Sequence, residues 1–164
     1  MPPDRVVLAG FSQGGALSLF AGLNFGGSGG GAAGAAAGGA AAGGAAGAHL
    51  GGIAVLSGYL PMPSKVVPNP HVLARTHTVF FHGDEDAVVP LTYAEDAHKR
   101  LQVRRLYLLA AVRHPAFPIQ PPAPEPPSLQ ALGAASLRFH TFEGLGHGAH
   151  DEELEMFAAW LAAI

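Results

Sequence analysis

The sequence predicts an α/β fold, with a mostly parallel sheet of about four strands and flanking helices. Three observations carry this prediction. Short runs of consecutive apolar residues read as strands covered on both faces rather than on one. Segments with apolar residues at helical spacing lie between them. The two kinds alternate along the chain, which is the pattern of crossover connections between parallel strands.

Taken in order, Arg5–Ala9 (RVVLA) is an apolar run ending at Gly10, read as a buried strand. Gly14–Leu23 carries Ala16, Leu17, Leu19, Phe20 and Leu23 and reads as a helix that is apolar nearly all round. Ile53–Ser57 (IAVLS) is a second strand, stopped by Gly58, and Thr78–His82 (TVFFH) a third. Thr92-x-x-Glu95 has the form of a capping box, in which Thr92 accepts from the free N–H groups and Glu95 reaches back. It predicts a helix to at least Arg100 and as far as Val112. Leu137–Phe142 is the fourth strand. Asp151–Ile164 reads as a helix with Leu154, Phe157, Leu161 and Ile164 on one stripe and three acids at its positive end.

Two segments stand outside this alternation. Residues 26–48 are Gly and Ala apart from Ser28, with 11 glycines, and are expected to form a disordered insert, because glycine opposes helix and nothing there can pack. Residues 115–128 hold seven of the 14 prolines and read as an extended linker. The organisation expected is one domain over 1–164 interrupted by these two segments. The 49% hydrophobic fraction therefore overstates the core, since much of it is alanine from the first segment.

A net charge of −3 without a basic run argues against nucleic-acid binding. With no cysteine, disulfides and thiolate metal sites are excluded. Met1–Arg5 lacks the basic-then-apolar layout of a signal peptide, and no run is apolar enough for a transmembrane segment. A soluble, cytoplasmic protein is expected.

Gly10-Phe11-Ser12-Gln13-Gly14 matches G-x-S-x-G between a strand and a helix, the context that a nucleophile elbow requires. There the chain turns sharply and strains the serine backbone, and side chains two residues before and after would collide. The helix N-terminus favours negative charge, and the Gln13 N–H can point at an oxyanion. A nucleophilic serine needs a base, and the base an orienting carboxylate. The third strand leads into His82-Gly83-Asp84-Glu85-Asp86, and the fourth into Glu143-Gly144-Leu145-Gly146-His147. Parallel strands deliver all three loops to one sheet edge. On the residues alone, Asp84 and Asp86 stay near even. His150 competes with His147, but at the start of an acidic helix a partly solvated histidine is the plainer reading. His82, at a strand end, reads as structural, and His49, His71, His77, His98, His114 and His140 as surface or core fillers. A metal reading would gather His82, Asp84, Asp86, His147 and His150. Their spacing matches no metal motif, so no metal is expected.

Asp4–Leu19 (DRVVLAGFSQGGALSL), Leu56–Pro61 (LSGYLP), His82–Pro90 (HGDEDAVVP) and Phe142–His147 (FEGLGH) resemble, in order, the acyl-protein thioesterase/carboxylesterase family of α/β-hydrolases. The resemblance implies a partial α/β-hydrolase fold, with Ser12 as nucleophile, Asp86 as acid and His147 as base. Asp84 is then left to cap its own turn. It implies substrates that are carboxylic esters or acyl thioesters, such as S-acylated proteins or lysophospholipids, and no cofactor. It also offers Leu60 and Pro61 as part of an acyl-binding wall, beside the plainer reading of a proline-rich loop capping a strand. In such enzymes about half of the domain, with a glycine loop supplying a second oxyanion donor, precedes the elbow strand. Four residues precede Arg5 here. The expectation is a chain corresponding to the C-terminal half, weakly active or inactive, with a bare edge on its first strand. A second reading is a catalytically silent fragment acting as a binding module. A peptidase or acyltransferase would use the same triad, and only the family likeness opposes it.

Overall fold

The computed structural model describes residues 1–25, 48–66, 70–113 and 136–164. The Gly/Ala segment at 26–48, apart from Ala48, and the Pro-rich segment at 115–128 lie outside the described residues. In chain order come β1 (Val7–Phe11), α1 (Gln13–Leu23), β2 (Gly52–Leu56), α2 (Pro70–Arg75), β3 (His77–Gly83), α3 (Leu91–Arg113), β4 (Leu137–Phe142) and α4 (Asp151–Ala162). The strands form one sheet in the order β1-β2-β3-β4, with every neighbouring pair parallel. All four C-terminal ends therefore open onto the same edge. The α/β class and the parallel sheet of about four strands are as the sequence predicts.

Strand alternation sorts the core into two layers. Ile53, Val55 and Phe80 pack on one side with Leu19 and Leu23 of α1, Leu73 of α2 and Ala94, Ala97 and Leu101 of α3. Ala54, Leu56, Val79, Phe81 and Phe142 face the other side and meet Trp160, Met156 and Phe157 of α4. Each fully buried Val, Ile or Phe contributes about 1.5–3 kcal/mol, so β2 and β3, buried almost throughout, anchor the sheet. β1 pairs only with β2 among the described strands, and its Ala9 and Phe11 are exposed.

Several boundaries differ from the sequence reading. β1 begins two residues later than Arg5 and runs to Phe11, because Pro3–Arg5 closes a 3-10 turn held by the Val6 N–H on the Pro3 carbonyl. α2 is not foreseen, since its six residues hold too few apolar positions to show a period. Thr92 does not cap α3. Leu91 is already helical and the Tyr93 N–H donates to the Pro90 carbonyl at 2.9 Å, which leaves Thr92 inside the first turn. The reciprocal cap occurs on α4 instead. His150 Nδ1 accepts from the Glu152 N–H at 3.3 Å, and the Glu153 carboxylate accepts from the His150 N–H at 3.4 Å. The buried stripe of α4 is also shifted. Leu154, Leu161 and Ile164 are exposed, while Glu153 and Trp160 are buried and Met156 and Phe157 half-buried. Trp160 takes the inner position because Gly52 leaves room for its ring, a Cβ there lying 2.6 Å from the indole.

Glu153 is fully buried, and its Oε1 has no hydrogen-bond partner. Burial pushes this carboxyl above the ordinary glutamate range, opposed by the His150 N–H and the nearby His150 ring. Between its unfolded and folded pKa values the native state holds more protons, so stability falls as pH rises through that window. Urea unfolding of Glu153→Gln, which keeps the capping oxygen, should show a stability advantage over the parent that grows from below pH 4 to neutrality.

Candidate active site

Ser12 stands between β1 and α1 with φ 55° and ψ −121°, a conformation that costs a side-chain-bearing residue about 1–3 kcal/mol. Neighbouring backbone over-determines it. The Ser12 N–H donates to the Leu56 carbonyl at 2.8 Å, and the Ser12 carbonyl accepts from the Ala16 N–H at 3.0 Å. Gly58 fits closely behind the turn, where a Cβ would lie 3.2 Å from the Ser12 carbonyl oxygen. The steric logic of the elbow holds for Gly10, whose Cβ would sit 2.6 Å from the Gly15 nitrogen and against the Gly14 carbonyl. It does not hold for Gly14, where a Cβ would meet nothing within 4 Å. The second obligatory glycine is Gly15, one residue further into the helix, where a Cβ would lie 2.7 Å from the Gly10 oxygen.

The acid loop leaves the C-terminal end of β3. Asp86 is buried, and its Oδ1 accepts from the Val88 N–H at 2.9 Å and the Val89 N–H at 2.8 Å. Its Oδ2 lies 2.8 Å from His147 Nδ1, and His147 Nε2 lies 3.0 Å from Ser12 Oγ. A carboxylate can only accept, so Nδ1 carries the imidazole proton and Nε2 presents a lone pair to the serine hydroxyl. Burial pushes the Asp86 carboxyl up. The hydrogen bonds from His147, Val89 and Val88 together outweigh it, so the group stays ionised below the ordinary aspartate range. The Phe11 ring lies against the His147 ring at 4.8 Å between centroids.

Asp84 does not cap its own turn. Its Oδ1 accepts from the Gly144 N–H at 2.7 Å, while the Glu85 N–H donates to the Leu145 carbonyl at 3.1 Å. These bonds tie the acid loop to the His147 loop. The local turn-capping expected of Asp84 falls to Asp86 Oδ1. His150 caps α4, His98 sits edge-on to Phe80 and Phe139, and His140 stacks on Phe81. His77 Nδ1 lies 2.9 Å from Ser136 Oγ. The His71 side chain and His114 lie outside the described residues. Leu60 and Pro61 are half-buried, Leu60 packing against the α1 side of the core. Gln13 is exposed at the first position of α1, where its N–H has no intrahelical acceptor. A cavity of about 450 Å³ lies along β4 and the start of α4, lined by residues such as His140, Glu143 and Met156. Ser12, Asp86 and His147 are absent from its lining, so it is separate from these three side chains. Among the described residues no helix is long and apolar enough to cross a membrane.

Comparison with solved structures supports the same architecture. Arabidopsis thaliana SOBER1 superposes with a TM-score of 0.57 at 23% identity, covering 99% of this chain and 54% of that one. The esterase PE8 superposes with a TM-score of 0.58 at 22% identity, covering 100% and 52%. The fold is thus part of an α/β-hydrolase. The family model for phospholipases and carboxylesterases matches residues 25–106, half of the chain, and the chain belongs to that family of hydrolases. The matched segment includes Asp86 but neither Ser12 nor His147. Acyl-protein thioesterase 1 of Mycosarcoma maydis is 27% identical over 100% of this chain and 50% of its own length. That of Gibberella zeae is 30% identical over 97% and 48%. The chain spans about half the length of the curated relatives it matches.

The glycine geometry separates three substitutions that the motif alone would treat alike. Gly10→Ala and Gly15→Ala should each destabilise by about 1–3 kcal/mol or more through backbone collision. Gly14→Ala should be neutral or gain about 0.5–1 kcal/mol from helix propensity. Chemical denaturation of the three variants checks this.

Proposed function

We propose that the chain is the catalytic part of a cytoplasmic serine hydrolase that cleaves acyl thioesters or carboxylic esters through Ser12, His147 and Asp86. The observation that carries this reading is the continuous hydrogen-bonded chain from Ser12 Oγ through the His147 ring to Asp86, at 3.0 and 2.8 Å. The names of the relatives, acyl-protein thioesterases, support acylated proteins as the substrate class. Leu60 and Pro61, with exposed Met62 beyond them, are proposed to border the acyl chain.

In this reaction His147 Nε2 takes the Ser12 proton as Oγ attacks the acyl carbon. The carbonyl electron pair moves to oxygen, where the Gln13 N–H at the positive end of α1 receives it. As the tetrahedral species collapses, the bond to the leaving sulfur or oxygen breaks and His147 delivers the proton to it. Water then attacks the acyl-serine with His147 again as base, releasing a carboxylic acid and restoring Ser12. Asp86 stays ionised throughout and stabilises the imidazolium that forms twice per cycle.

A fluorophosphonate probe tests the assignment. It should label Ser12 of the parent, fail to label Ser12→Ala, and label His147→Ala at least about 10²-fold more slowly. Labelling that persists in Ser12→Ala would remove Ser12 from the mechanism. A folded parent that takes no label would favour the silent binding module.

A further inference from the structure

The mechanism leaves one buried imidazole unused. His82 is fully buried at the end of β3, and its Nε2 lies 2.8 Å from the Val89 carbonyl and 3.5 Å from Asp86 Oδ2. A carbonyl only accepts, so the ring proton is on Nε2. Its Nδ1 is buried with no hydrogen-bond partner. Leaving such a group unpaired costs about 1–3 kcal/mol, a cost that a leucine or phenylalanine in the same core position would not carry. Simple space-filling therefore does not account for histidine here. The Nε2–H bond does. Val89 is the residue whose own N–H holds Asp86 Oδ1. Its carbonyl and its N–H belong to adjoining peptide units, so holding the carbonyl restrains the residue whose amide orients the carboxylate. The His82 Nε2–H also lies 3.5 Å from Asp86 Oδ2, the oxygen that faces His147.

We propose that His82 is a positioning residue, whose Nε2–H holds the Val89 carbonyl beside the Asp86 carboxylate so that Oδ2 stays aimed at His147 Nδ1. Histidine rather than an apolar residue stands there because the acid loop needs a donor at that point. The inference rests on the proposed hydrolase reading for its effect on rate, but its structural part stands apart from it.

The test compares His82→Gln, whose amide nitrogen reaches the place of Nε2, with His82→Asn, whose donor falls near Nδ1, and with His82→Leu. Fluorophosphonate labelling of Ser12 is followed across pH, alongside thermal unfolding and hydrogen exchange of the Val88 and Val89 amides. Labelling should be near the parent rate in the Gln variant and about 10–10²-fold slower in the Asn and Leu variants. The Leu variant loses the orphaned Nδ1 but also leaves the buried Val89 carbonyl without its donor, so it should melt close to the parent. A folded Leu variant labelling at the parent rate would overturn the proposal, as would a Gln variant as slow as Asn. If Leu fails to fold, the Gln and Asn pair alone decides. If even the parent takes no label, the hydrolase reading fails, and amide exchange then decides the positioning role. Val88 and Val89 should exchange faster in Asn than in Gln, and equal rates would refute it.

Discussion

The hydrogen bond between Asp86 and His147, at 2.8 Å, is the contact on which the rest of the site depends. It joins a loop leaving β3 to a loop leaving β4, elements with no sequence proximity. It also places the ring proton on Nδ1 and so turns an unprotonated Nε2 toward Ser12 Oγ. The carboxylate can serve only if it stays ionised while buried. Two backbone N–H groups and one imidazole N–H accomplish this by filling its acceptor positions. The surrounding bonds, Asp84 to the Gly144 N–H and Glu85 N–H to the Leu145 carbonyl, hold the two loops in the register that this contact needs.

Topology does the larger work. Four parallel strands in sequential order put every strand's C-terminal end on one edge. A hydroxyl after β1, a carboxylate after β3 and an imidazole after β4 then need only short loops to meet. The strained serine is tolerable because β2 accepts its N–H and α1 begins at once behind it. The sheet, with β1 at its edge and Ala9 and Phe11 uncovered, holds this arrangement within a chain about half the length of its curated relatives.

Much of this is legible in the residues alone. Apolar runs such as IAVLS and TVFFH have no polar alternation, and only strands covered on both faces look like that. The G-x-S-x-G turn in its strand-to-helix setting pointed to Ser12, and the order of the loops pointed to one acid and one histidine. Between Asp84 and Asp86 the residues alone could not choose, because both carboxylates sit in the same turn and only three-dimensional direction separates them. The cap of α3 and the stripe of α4 depart from the sequence pattern for a related reason. Capping patterns record which side chains are able to cap, and they do not say where the backbone begins to coil. The stripe on α4 is decided by Gly52 across the sheet, a contact with no local signature. The strand-end position of His82 marks it as structural, whereas its unpaired Nδ1 depends on surroundings that carry no local signal.

The state of the His147 ring in solution tests this account most directly. Two-bond ¹H–¹⁵N correlation of the isotope-labelled protein above pH 7 should show the proton on Nδ1, in a slowly exchanging hydrogen bond, with Nε2 unprotonated. A ring carrying its proton on Nε2, or one averaging between tautomers, would mean that Asp86 does not hold the imidazole and that Ser12 has no base.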